Sequence, residues 1–189
     1  MSDLYSWGVH KAVLDTFKFD PNNYETCRVG VSAICALVAN RINLPFFDDG
    51  IDEELIAAMR KFKGGRQFDI PFTEHACYLI TVFCKNDETR RLRMGELGAC
   101  ELIHTSLLDA ECVSVDHLNA IHSLLYTSLN IGPNKTYVCL PNHQKFIALG
   151  TSLILADIAD LNTSEEIRRL ARKLSIVWKT AAAALLHKR

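Results

Sequence analysis

Apolar residues recur along this 189-residue chain every three or four positions, in runs separated by clusters of glycine, proline, asparagine and aspartate. Leu4, Val9, Val13, Leu14 and Phe17 make the first stripe and predict a helix over 4–17, which Asp20-Pro21-Asn22-Asn23 ends with turn residues. Val31, Ile34, Cys35, Leu37 and Val38 predict a longer helix over 24–40, followed by a connector containing Pro45. Gly50 opens IDEELIAAMRKF, whose acidic residues come first and basic residues last, the order the helix dipole favours. Gly64-Gly65 can end it with a left-handed cap. Further helices are expected over 72–84, 87–94, 98–108, 114–129 and 142–159, and a last one runs to 186 from a cap at Thr163 or Ser164. Thr163 followed by Glu166 has the capping-box spacing. Tyr137–Leu140 is the one β-like run, and it is short and flanked by turn residues. The expected class is all-α.

The helical runs also repeat. Aligning Leu44–Met59, Leu92–Leu107 and the segment from Val138 brings Gly50, Gly98 and Asn142 together, with apolar Leu55, Ile103 and Ile147 five residues later. Glycine and asparagine take a left-handed backbone most easily, so one corner explains all three positions. The repeat length is roughly 44 to 48 residues, the range of three-helix units.

The stretch NDETRRLRMGELGACELIHTSLL, residues 86–108, resembles the first helix, Gly-Ala corner and second helix of an armadillo repeat. The resemblance implies a right-handed superhelix, an α-solenoid of about three repeats over 23–66, 67–112 and 113–160. Cap helices over 1–22 and 161–189 would flank them in a single domain. It also implies a groove lined by third helices that binds peptides or folded partners. Peptide-gripping members carry W-x-x-x-N on those helices. Here GVSAICALVAN, HACYLITVFCK and NAIHSLLYTSLN have no Trp; Asn40 and Asn130 lie near the right end, and Val82 takes that level in the middle helix. Tyr78, Tyr126 and Asn130 are therefore the expected partner-binding residues on third helices. Arg91 and Arg93 join them as side chains projecting from the first helix, with Arg90 as the structural anchor.

Composition narrows the chemistry. Hydrophobic residues make up 49% of the chain, enough for a real core, and the net charge of −1 argues against a general nucleic-acid binder. The seven cysteines are odd in number and contain no C-x-x-C pair, and the N-terminus has no basic and apolar signal-peptide pattern. A reduced, intracellular, cytoplasmic protein is expected. No apolar run is long enough to span a membrane. His75 and Cys77 point to opposite sides of a helix, and His117 and His122 are poorly spaced for chelation. No metal and no cofactor is therefore expected, and KFKGGR at 61–66 lacks the phosphate-loop pattern. The basic stripe Arg168, Arg169, Arg172, Lys173 and Lys179 reads as a solvated face first and a contact for an acidic partner second.

The reading that follows is a non-enzymatic scaffold or adaptor that binds a protein partner, or pairs with a second copy through its end repeats. Two other readings fit the same residues: a compact helical regulator of a small GTPase or other signalling protein, and an all-α enzyme or metalloprotein using the Cys and His side chains.

Overall fold

The computed structural model describes residues 7–39, 49–62, 70–85, 87–108, 113–126 and 138–186. Ten helices account for nearly all of these: α1 (Val9–Phe19), α2 (Tyr24–Ala39), α3 (Ile51–Phe62), α4 (Ile70–Cys84), α5 (Glu88–Leu97), α6 (Ala99–Leu107), α7 (Val115–Leu125), α8 (Leu140–Ala148), α9 (Thr151–Leu161) and α10 (Glu165–Leu186). Among the described residues no strand forms, and Tyr126 and Val138 make one isolated antiparallel bridge. The class is all-α, as the periodicity predicts.

Local chemistry starts these helices where the turn residues stand. Asn23 Oδ1 accepts the Thr26 N–H at 3.2 Å at the head of α2. The Asp87 carboxylate accepts the Arg90 N–H at 2.9 Å at the head of α5. Pro141 occupies the first turn of α8, where its missing N–H leaves no bond unmade. Of the two candidate caps for α10, Ser164 serves: its hydroxyl accepts the Ile167 N–H at 3.5 Å and its carbonyl the Arg168 N–H at 3.0 Å.

Gly8, Gly50, Gly98 and Gly150 all have left-handed backbones (φ 72°, 86°, 101° and 75°), and each stands immediately before a helix: α1, α3, α6 and α9. They recur at intervals of 42, 48 and 52 residues. A side chain at such a corner costs about 1–2 kcal/mol, which glycine avoids. This series corrects the sequence alignment at its third member. Asn142 lies inside α8, and the corner falls at Gly150. The run expected as one helix over 142–159 is therefore two helices, broken where glycine permits the turn.

The chain forms two compact units, Met1–Leu79 and Ile80–Arg189, with the boundary inside α4. In the first unit α1, α2 and α3 pack on one another. The Phe17 ring lies so close to Gly30 that a β-carbon there would stand 2.5 Å from it, so glycine sets the α1–α2 approach. Tyr24, Phe62 and Phe72 form a cluster with centroids 5.3 to 6.2 Å apart. In the second unit α7 packs against α5, α6, α8 and α10; α8 also meets α5, α6 and α9, and α9 packs on α10.

Four histidines of the second unit, His104, His117, His122 and His143, titrate below their ordinary range. His117 Nδ1 accepts the Ser114 N–H at 3.2 Å, and burial holds its pKa down to about 4. Burial lowers His143 as well. His122 is lowered by burial and then by the positive charges of Lys173 and Arg91. In the unfolded chain each ionises near pH ~6.5. Below that pH the unfolded chain binds protons that the folded one refuses, so stability falls as pH falls from about 6.5 toward 4. His117 alone should remove about 2 kcal/mol between about pH 7 and 5. Urea midpoints measured across that range test this: they should drop steadily in the native chain and less in His117→Gln, which keeps an acceptor but cannot ionise. A pH-independent midpoint contradicts it.

Candidate functional site

The Asp87–Gly98 stretch places Arg91 and Gly95 where helices meet. Arg91 is 0% exposed. Its Nε donates to the Ser123 carbonyl at 2.8 Å and its Nη2 to the Cys84 carbonyl at 3.0 Å, the ends of α7 and α4 respectively. Among the described residues no carboxylate pairs with it. The negative ends of two helix dipoles supply the compensating charge instead.

The end of α7 shows why this position is occupied. A helix C-terminus leaves four carbonyls without intrahelical donors. Here the Ser123 carbonyl takes Arg91 Nε, the Leu124 carbonyl takes Asn142 Nδ2 at 3.1 Å, and the Leu125 carbonyl takes the Cys139 N–H at 2.8 Å. The His122 carbonyl takes the Tyr126 N–H at 2.9 Å. Asn142 Nδ2 also donates to the Arg91 carbonyl at 2.9 Å, tying α8 to α5. Its Oδ1 approaches Gly95 so closely that a β-carbon there would lie 1.7 Å away. Lys145 Nζ then caps α5 through the Gly95 carbonyl at 2.6 Å and stands 3.5 Å from the Glu101 carboxylate.

Several expected site residues change role. Arg91 does not project outward; it is the buried anchor, because the α7 and α4 carbonyls need a donor there. Arg90, expected as the anchor, pairs with Asp87 at 3.2 Å within its own first turn. Arg93 is exposed. Tyr126 is only 4% exposed, and burial raises the pKa of its hydroxyl, so it is a core residue and no ready contact. Tyr78 is half-buried, and Asn130 lies outside the described residues. In the basic stripe, Arg168 donates to the Asn162 carbonyl at 2.9 Å and Arg172 to the Ala159 carbonyl at 3.1 Å, closing the end of α9. Both also face Glu165. Arg169 and Lys173 are exposed.

Burial pushes the pKa of the Cys84 thiol up to about 12 and raises those of Cys27, Cys100 and Cys139. Among the described residues no three His, Cys, Asp or Glu side chains are placed to hold a metal ion. No helix among them is long and apolar enough to cross a membrane.

What the periodicity does not reveal is an open cleft in the second unit, with a volume of about 500 Å³. The end of α6 contributes Leu107 and Leu108, and Val113 precedes α7. Ile154, Asp157, Ile158 and Leu161 come from α9, the Asn162–Ser164 turn closes one end, and Ile167 comes from α10. Leu108 is 64% exposed and Leu161 80% exposed, both on the cleft. Leu108 follows buried Leu107 and Leu161 ends α9, and the sequence carries a signal of this: an apolar residue standing next to turn chemistry.

Comparison with protein families, with curated proteins and with solved structures finds no match to the chain.

Arg91→Met keeps the bulk of the side chain but removes its donors to the Ser123 and Cys84 carbonyls, and should destabilise by about 3 kcal/mol. Gly95→Ala forces Asn142 away from both its carbonyls and should cost about the same. Arg93→Met should cost under about 1 kcal/mol. Chemical denaturation of the three variants checks the ranking; equal losses at 91 and 93 would contradict the anchoring role.

Proposed function

We propose that the chain is a protein-interaction module, an armadillo-like helical array that holds a protein partner in the cleft between α6, α9 and the start of α10. The observation that carries this reading is the exposure of Leu108 and Leu161 on one concave, largely apolar surface. Folded chains hold large apolar side chains at a concave surface chiefly where something covers them. The cleft's volume lies within the range of ligand and peptide sites. The recurrence of the glycine corner before α1, α3, α6 and α9 supports the repeat half of the proposal, since each such unit buries one face against its neighbour and leaves another for partners.

The buried side of the array does not take part. Arg91, Asn142, Gly95 and Tyr126 hold helices together, so partner contact falls to side chains at helix ends. A scaffold or adaptor role requires no chemistry at this cleft, only shape and apolar area.

The double variant Leu108→Asp/Leu161→Asp tests the proposal. Both side chains are exposed, so the fold should persist, with an unchanged urea midpoint within about 0.5 kcal/mol. Affinity capture from source lysate should lose the principal partner retained by the native chain. Capture of the same partners by both proteins would overturn the assignment of the cleft.

A further inference from the structure

We infer that the cleft's occupant is an amphipathic helical segment of the partner, with bulky apolar residues on one face and a Lys or Arg at its edge. The inference rests on the docking reading above and adds the chemistry of what docks.

The sign of the charge comes from the cleft itself. Asp157 is the one formally charged residue among the described residues that line it, it is exposed, and no hydrogen bond or ion pair reaches its carboxylate among the described residues. Asp160, exposed one turn further along α9, has the same sign. Helix dipoles do not alter this balance. The cleft borders the C-terminal ends of α6 and α9 and the N-terminal ends of α7 and α10, so opposite partial charges offset one another. The nearest cations of α10, Arg168 and Arg172, face Glu165 and the carbonyls of Asn162 and Ala159. An incoming cation therefore meets an unpaired carboxylate beside an apolar surface, where a carboxylate-bearing segment meets repulsion.

The form of the occupant follows from the walls. They are helix faces, helix ends and the Asn162–Ser164 turn, and no strand edge is available among the described residues. An extended peptide would find no ladder to join. A helix brings its own backbone bonds and offers apolar side chains at i, i+3, i+4 and i+7, which suits a wall of side chains from α6, α9 and α10.

The probes are three fluorescein-labelled peptides of about 18 residues, long enough to sustain an isolated helix. They share one leucine face and differ only in carrying Lys, Gln or Glu at the edge positions. Fluorescence polarisation with the full chain should rank them Lys, Gln, Glu, with Lys and Glu about tenfold apart at low salt. Asp157→Lys should reverse the order, and Leu108→Asp/Leu161→Asp should abolish binding of all three. Leucine-dependent binding with no charge ranking, or a ranking unmoved by Asp157→Lys, overturns the inference and leaves the docking reading standing. Binding unaffected by the leucine variant, or no binding at all, overturns both.

Discussion

The C-terminus of α7 is enclosed by other helices, and the second unit is organised around receiving its carbonyl groups. A helix end that faces water can leave four carbonyls to the solvent; one that is packed over cannot. Arg91 comes from α5, and Asn142 and the Cys139 backbone from the start of α8, so two separated segments must be in place before the end is satisfied. An unmet buried carbonyl costs about 1–3 kcal/mol, which makes the arrangement mutually demanding. Gly95 belongs to the same constraint, because Asn142 can reach the Arg91 and Leu124 carbonyls only where no β-carbon stands.

Cations at helix ends recur as a device in this unit. Arg91 serves α4 and α7, Lys145 serves α5, and Arg168 and Arg172 serve the end of α9. Basic residues that look like a surface for an acidic partner are thereby drawn into holding the fold. Among the described residues, the cleft between α6, α9 and α10 has the Asp157 carboxylate as its formal charge and Leu108 and Leu161 at its lip. The charged residues thus divide: Arg91, Lys145, Arg168 and Arg172 close helix ends, while Asp157 stands exposed on the cleft.

Much of the fold is legible in the sequence because it is local. The positions of α2, α3, α5 and α6 follow from apolar spacing and from Asn23, Gly50, Asp87 and Gly98, each acting within a turn of itself. The break at Gly150 was hidden because ALGTSLIL keeps its apolar spacing straight across the corner, so periodicity continued where the backbone did not. The exposed cleft residues were harder still. Tyr78 and Tyr126 stand out by type, yet Tyr126 is enclosed, while Leu108 and Leu161 look ordinary and stand open.

Arg91 marks the limit most clearly. The sequence alone determined that a basic triplet lies in a short helix followed by a glycine corner, because these depend on neighbours within a few residues. It could not determine which arginine turned inward. That choice depends on carbonyls at Cys84 and Ser123, one of them 32 residues away, and exists only once α5 lies against the end of α7. Tertiary structure likewise made Asn142 a bracket between helices instead of a corner. It also opened a cleft from residues of α6, α9 and α10 that share no local pattern.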